Sequence, residues 1–239
     1  MRIAVVADIH GNLLALERVR EDLATRAPDL VLNLGDSVTS PLWPRETWEL
    51  LETLGWATLR GNHDRWLTEL APEQRSPSIA FTHAALSPAQ REALWRLPPA
   101  LTPAPGVLAV HGTPASDTGY LLEDLADGRL ALARPETVRG RLGGTDAGLV
   151  LCGHSHLQHL ARIGGTVVLN PGSVGCPRYA DNADPGVAEA GAPLAHYAVV
   201  TARQGRWDVE LLALAYGWEE VARRATASGR PDWAAGFLR

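Results

Sequence analysis

The sequence predicts an α/β fold whose strands carry a site along one edge, and three observations predict it. Short apolar runs end abruptly in Asp or His at five places: residues 3–7 before Asp8 and His10, 30–34 before Gly35-Asp36, 56–59 before Arg60-Gly61-Asn62-His63-Asp64, 107–110 before His111, and 149–152 before Gly153-His154-Ser155-His156. Helix-spaced segments separate the first three runs. At 239 residues, 46% of them hydrophobic, the chain can bury a large core, and no linker composition divides it, so one domain over residues 1–239 is expected. In an α/β sheet the residues just past the carboxyl ends of the strands line the ligand crevice, so five remote segments can gather into one site.

Taken in order, Asn12 can cap a helix from Leu13, whose apolar positions Leu16, Val19, Leu23 and Ala27 fall three or four apart until Pro28 and Asp29 stop it. Flanked by strands, that helix makes residues 2–34 a β-α-β unit with parallel pairing. Pro44 can open a second helix through Thr47, Trp48, Leu51 and Leu54, with Gly55 as its stop. Residues 69–105 read as an insertion bordering the site as a cap or rim, with an apolar run at 79–83 and a helix opened by the capping-box spacing of Ser87 and Gln90. His83 follows that run but stays outside the metal set, which is complete without it. Residues 115–144, with a weak helix after Pro135, read as a lid or rim. Hairpins then replace crossovers, at 157–169 around Gly164-Gly165 and at 196–212 around Gln204-Gly205, and an amphipathic helix covers 218–227. The Ala, Pro and Gly-rich loop 181–193 is the segment expected to be mobile.

A formal net charge of -5 argues against a general nucleic-acid coat or a polybasic membrane surface. The N-terminal apolar run is too brief for a secretory signal and reads as a first strand, and nothing approaches the roughly 18 consecutive apolar residues of a membrane span, so a soluble, cytoplasmic protein is expected. Two cysteines, Cys152 and Cys176, are too few for a disulfide scaffold. Eight tryptophans could serve the core or a homo-oligomer interface, and the sequence leaves that open.

The donor set is mixed Asp, His and Asn, which suits a pair of divalent transition-metal ions about 4 Å apart. Asp36 is the natural bridge, because a carboxylate has two oxygens and an imidazole nitrogen serves one metal at a time. Asp8 and His10 can reach one ion, whereas His154 and His156 could share an ion or split between two. In the third motif Asn62 offers an amide oxygen, His63 a proton near pH 7, and Asp64 a carboxylate to orient the imidazole.

The ordered set Asp8-x-His10, Gly35-Asp36, Gly61-Asn62-His63-Asp64, His111-Gly112 and Gly153-His154-Ser155-His156 resembles the calcineurin-like metallophosphoesterase superfamily. Residues 170–175 with Pro177-Arg178 resemble a stretch of its small bacterial, phosphodiesterase-like branch. The resemblance implies a two-sheet sandwich flanked by helices, with the metal site at the C-terminal strand ends. It puts Asp8, His10, Asp36 and His156 on the first metal and Asp36, Asn62, His111 and His154 on the second. It implies attack on phosphorus by a metal-bridging hydroxide, with His63 protonating the leaving alkoxide, Asp64 orienting His63, and Asn62, Arg60 and Arg178 as phosphate contacts. Manganese is the first expectation, with iron, nickel, cobalt or zinc as alternatives. After Asp36 the chain reads Ser37-Val38-Thr39-Ser40-Pro41, without the Arg and acidic residue of the protein-phosphatase branch, and it carries no basic groove of the nuclease branch. The substrate expected is therefore a small phosphodiester, phosphomonoester or nucleotide. A non-catalytic, metal-binding protein-interaction scaffold of the same fold is the alternative, disfavoured because His63 and Asp64 are both kept.

Overall fold

The computed structural model describes residues 1–180 and 187–238. Along the chain run β1 (Arg2–Val6), α1 (Leu13–Arg26), β2 (Leu30–Asn33), α2 (Pro44–Leu54), β3 (Ala57–Thr58), α3 (Asn62–Glu69), α4 (Pro77–Ala85) and α5 (Pro88–Trp95). Next come β4 (Ala100–Ala104), β5 (Val107–Val110), β6 (Glu123–Ala126), β7 (Arg129–Leu132), α6 (Pro135–Arg141), β8 (Leu149–Leu151), β9 (Gln158–Ile163) and β10 (Thr166–Pro171). The rest is β11 (Arg178–Ala180), β12 (Val187–Glu189), β13 (Ala195–Arg203), β14 (Arg206–Leu214), α7 (Trp218–Ala227) and α8 (Pro231–Ala234).

Two five-stranded sheets, ordered β14-β13-β1-β2-β3 and β4-β5-β8-β10-β9, face one another, and a smaller sheet is ordered β11-β12-β7-β6. The first sheet is parallel through β1, β2 and β3, because helices α1 and α2 return the chain to the same edge, and the hairpin β13–β14 closes it antiparallel to β1. The second is parallel through β5, β8 and β10 and antiparallel at both ends. Between the sheets lie Ile3, Val5 and Ala7 of the first strand and its exit, Leu32 and Leu34, and from the opposite sheet Val107, Ala109, Leu149, Leu151 and Leu169. The outer face of the first sheet packs Ala4, Val6 and Val199 against Leu16, Val19 and Trp48 of α1 and α2, so its central strands are covered on both sides.

Local signals fix the helix ends that set the site loops. The Asn12 side chain accepts from the Ala15 amide at 3.2 Å, Pro44 stands at the start of α2, and Gly55 ends it at φ 61°. Ser87 and Gln90 form the capping box that opens α5. The run 79–83 lies in α4, opened by Ser76, whose Oγ accepts from the Ile79 amide. In the segment 115–144 the hairpin β6–β7 accompanies the expected helix, and that hairpin went unforeseen because Leu125, Leu130 and Leu132 are too few to mark two alternating strands. Of the loop expected to be mobile, residues 181–186 lie outside the described residues, and β12 occupies 187–189.

Candidate metal centre

The turns that follow β1, β2 and β8 into the site need a constrained backbone. Eight described non-glycine residues have positive φ, and five of them are Asp8, His10, Asp36, His154 and His156. Left-handed backbone at Asp or His costs of order 1–3 kcal/mol at each residue, and it persists where surrounding contacts over-determine it. Here they do: the Asp8 amide donates to the Gly35 carbonyl at 3.0 Å, the His10 amide to Asp36 O at 2.9 Å, and the His154 amide to Asp8 Oδ2 at 3.1 Å.

The side chains gather into two buried groups. Asp8, His10 and His156 bring ligand atoms within 4.8 Å of one another, and so do Asp36, His111 and His154. His154 and His156 therefore divide between the two. Asp36 lies between the groups, its Oδ2 3.3 Å from His111 Nε2 and 3.8 Å from His10 Nε2. Asn62 joins the second group, with Oδ1 2.9 Å from His111 Nε2.

Main-chain carbonyls hold one nitrogen of every imidazole. Nδ1 of His10 donates to Thr39 O at 2.9 Å, Nδ1 of His111 to Leu34 O at 2.7 Å, and Nδ1 of His156 to Cys176 O at 2.8 Å. His154 uses Nε2 instead, against Thr118 O at 3.1 Å. Each ring is left with its other nitrogen for a ligand, the arrangement by which metal-binding histidines are oriented. Burial first, with neighbouring histidines, pushes His10 down to about 4, His154 to about 3 and His156 well below its usual value, so these rings are neutral. The Nε2 atoms of His10 and His156 then face each other as lone pairs at 3.2 Å, and Asp8 Oδ1, buried beside His156 Nε2 at 3.5 Å, has no hydrogen-bond partner among the described residues. Opposed lone pairs and an orphaned carboxylate oxygen fit a cation between them and nothing else in the described site. Burial pushes the Asp36 carboxyl up, but His111, His63 and His10 more than reverse this and hold it well below the usual range. Burial opposes charge on His111 too, yet Asp36 raises it to about 10.

The third motif opens α3, and its residues separate. The His63 amide donates to Asp36 Oδ1 at 2.9 Å, and its ring stands 5.2 Å from His10 and 4.9 Å from Trp66. Asp64 is fully buried, and its described hydrogen bonds run to main-chain amides of Asp36 (2.8 Å), Ser37 (3.1 Å) and Gly61 (3.0 Å), not to the His63 imidazole. Its two oxygens thus staple the β2 exit to the β3 exit. Gly61 is obligatory at this staple, because a Cβ there would stand 2.1 Å from Asp36 Oδ1. Arg60 points away: its guanidinium lies 4.4 Å over the Trp95 ring and bonds the Trp95 carbonyl at 2.5 Å, since an indole face and a free carbonyl at the end of α5 satisfy it there. Arg178 begins β11, and its Nε is buried without a hydrogen-bond partner among the described residues.

Several residues at the centre had no role assigned from the sequence. Tyr120 stacks on His154 at 4.9 Å, Tyr179 covers His156 at 4.4 Å, and their hydroxyls meet at 2.9 Å. Asn170 Nδ2 donates to Gly153 O at 2.7 Å and Ser155 Oγ at 2.9 Å, and Ser173 Oγ donates to Asp8 O at 2.7 Å, so the 170–176 segment ties the Asp8 and His154 loops together. The polar Asn-Pro-Gly-Ser run was the signal for that role, whereas Tyr120 in a loop and Tyr179 in the short strand β11 give none.

Residues 1–191 match the calcineurin-like phosphoesterase superfamily domain. The chain belongs to that superfamily. Within it, the Sphaerobacter thermophilus metallophosphoesterase structure aligns with a TM-score of 0.73 and 25% identity over 98% of this chain and 97% of that one. A hypothetical protein of Pyrococcus horikoshii shares the fold, with a TM-score of 0.77 and 21% identity over 98% and 95% of the two chains. A 62-residue stretch is 42% identical to an uncharacterized protein of Methanocaldococcus jannaschii, a match spanning 26% of that protein's length and 26% of this chain. The two-sheet architecture and the paired His and Asp groups that could hold metal ions are those of a metallophosphoesterase. No described helix is long and apolar enough to cross a membrane.

Proposed function

We propose that this superfamily member hydrolyses a phosphodiester, or failing that a small phosphomonoester or nucleotide, at a dinuclear centre of divalent transition-metal ions, manganese first among them. Asp8, His10, Asp36 and His156 would hold one ion and Asp36, Asn62, His111 and His154 the other. The observation that carries the reading is the position of Asp36 Oδ2 between His111 and His10, a shared carboxylate serving two histidine groups. When bound, such ions lower the pKa of water and neutralise charge on phosphate oxygens.

The protein's own residues supply the rest. His63 stands beside Asp36 at the start of α3, half-buried, where its imidazole can give a proton to the leaving alkoxide. Asp64 serves it indirectly, by fixing the main chain of Asp36 and Gly61 on which both ligand and acid depend. Arg178, with a donor unsatisfied by the described protein, can pair with a phosphate oxygen. Residues 69–105 would form the rim of the cleft, with Arg60 tying α5 to the third motif.

The test is hydrolysis of bis(p-nitrophenyl) phosphate and p-nitrophenyl phosphate after chelation, with manganese, nickel, iron or zinc restored. Turnover that needs metal and falls at least about 100-fold in His63→Ala, as loss of a general acid does, supports the proposal, and Asp36→Asn should be equally impaired. Inactivity with every metal, together with binding of one ion at most, would leave the scaffold reading in its place.

A further inference from the structure

The turn at residues 113–120, which follows β5, is built against the second histidine group. Gly112, next to His111, leaves no room for a side chain: a Cβ there would stand 2.6 Å from Gly119 O and 2.7 Å from Ser116 O. The Thr113 amide closes the turn by donating to Ser116 O at 2.7 Å. From this turn the Thr118 carbonyl accepts from His154 Nε2 at 3.1 Å, and the Tyr120 ring stacks on His154 with planes at 23°. The turn therefore sets the orientation of His154. Asp117, between them, binds an element on the other side of the centre. It receives a fork from Arg65, Nε to Oδ2 at 2.6 Å and Nη2 to Oδ1 at 2.9 Å, and Arg65 lies on α3 two residues after His63. Arg65 Nη1 also bonds Glu69, one turn further along the helix. With Asn62 beside His111, α3 thus meets the second group and its turn at two points three residues apart. One point of attachment leaves a pivot, and the second removes it. The two side chains are only 24% and 27% exposed, and a bidentate guanidinium–carboxylate pair fixes orientation as well as distance, which a single-point surface pair does not.

We propose that Arg65 and Asp117 form a positioning pair, whose fork keeps the helix that presents His63 in register with the turn that orients His154. This rests on the phosphoesterase reading above and deepens it, by naming what sets the spacing between the acid and the metal ligands. Neither side chain touches the reacting atoms. Their effect is through placement, and a displacement of about 1 Å at a reacting group costs up to about 100-fold in rate.

The experiment is a double-mutant cycle of Asp117→Asn, Arg65→Gln and the two together, read in manganese binding by calorimetry and in turnover of two esters that differ in leaving group. The esters are bis(p-nitrophenyl) phosphate and diphenyl phosphate, or the matching monoesters if the wild type prefers those. Phenolate leaves less readily than nitrophenolate and depends more on a proton from His63. Each single variant should weaken one manganese-binding step by about 3- to 10-fold, because His154 is held less well. Each should also lower kcat about tenfold on the phenyl ester and less on the nitrophenyl ester, with KM within about twofold. The double variant should cost no more than either single, since both remove one fork, and Arg65→Lys, which keeps the charge without the fork, should resemble Arg65→Gln. Both positions are partly exposed, so the chelated variants should melt close to the chelated wild type. Manganese binding unchanged in the single variants, losses that add in the double variant, or an equal fall in kcat on both esters overturns the positioning pair. If the wild type hydrolyses none of the esters, the phosphoesterase reading is what fails, and the manganese cycle still decides whether the fork positions His154.

Discussion

The imidazole of His111 shows how one residue sets the behaviour of the centre before any ion arrives. Asp36 raises it to about 10, so at neutral pH it is an imidazolium, and a cation that uses its Nε2 must displace the proton. Burial also pushes the Asp8 carboxyl well above its usual value. A group whose pKa lies above the working pH resists the metal less as pH rises, so manganese affinity should increase between pH 6 and 8, by about tenfold per unit for each proton released. Calorimetry at one pH in two buffers of different ionisation enthalpy should show at least one proton leaving. No buffer dependence would mean that His111 is not a ligand. Asp64 offers a second test at this scale. In Asp64→Asn an amide NH2 replaces an oxygen that now accepts from main-chain amides, placing donor against donor at a cost of about 1–3 kcal/mol. The chelated variant should therefore melt lower than the chelated wild type. Equal melting with lost turnover would assign Asp64 to the imidazole of His63 instead.

At the scale of elements, what the sequence made legible is what breaks an apolar run. His111 and His154 were visible because an imidazole ends a buried strand where turn chemistry gives no reason for one, and Asp8 and Asp36 because they recur at the same kind of strand end. Asn12, Pro44, Gly55 and Ser87 were visible because cap residues act locally. The carbonyls of Leu34, Thr39, Thr118 and Cys176 were not, because every residue has a carbonyl and only the fold aims these four at imidazoles. Arg60 was misjudged for the same reason: its partner, Trp95, is 35 residues away in a segment read only as a rim. That segment also braces a loop of the site. Thr82 of α4 accepts from the Ser40 amide at 3.0 Å and donates to Ser40 O at 3.1 Å, bracing the loop whose Thr39 carbonyl orients His10. Thr82→Val keeps the shape and removes both bonds, at a cost of about 1–3 kcal/mol. Its manganese affinity should fall, although no donor atom has been touched. Unchanged affinity in a destabilised variant would show that the brace serves the fold alone.

At the scale of the molecule, each histidine group draws on both sheets. Asp8 and His10 leave β1 of one sheet and meet His156, which precedes β9 of the other; Asp36 follows β2 and meets His111 and His154, which follow β5 and β8. A bound cation would therefore join the two halves of the sandwich across the edge of its apolar core, as well as ordering loops. The chelated protein keeps the strained turns and the opposed Nε2 atoms without the ligand that rewards them, so the two sheets should separate more readily at this edge. Saturation at a hundred times Kd stabilises a protein by about 2.7 kcal/mol for one site, which is a large fraction of ordinary stability. The distribution of that gain is the informative quantity. Hydrogen exchange followed by mass spectrometry, with and without manganese, should show slower exchange in β1, β2, β5 and β8 together. Those strands open only when the sandwich does, so protection there reads global coupling. Slowing confined to residues 8–12, 36–41 and 153–157 would instead mean that the ions order their own loops while the sheets are held by the apolar interface alone.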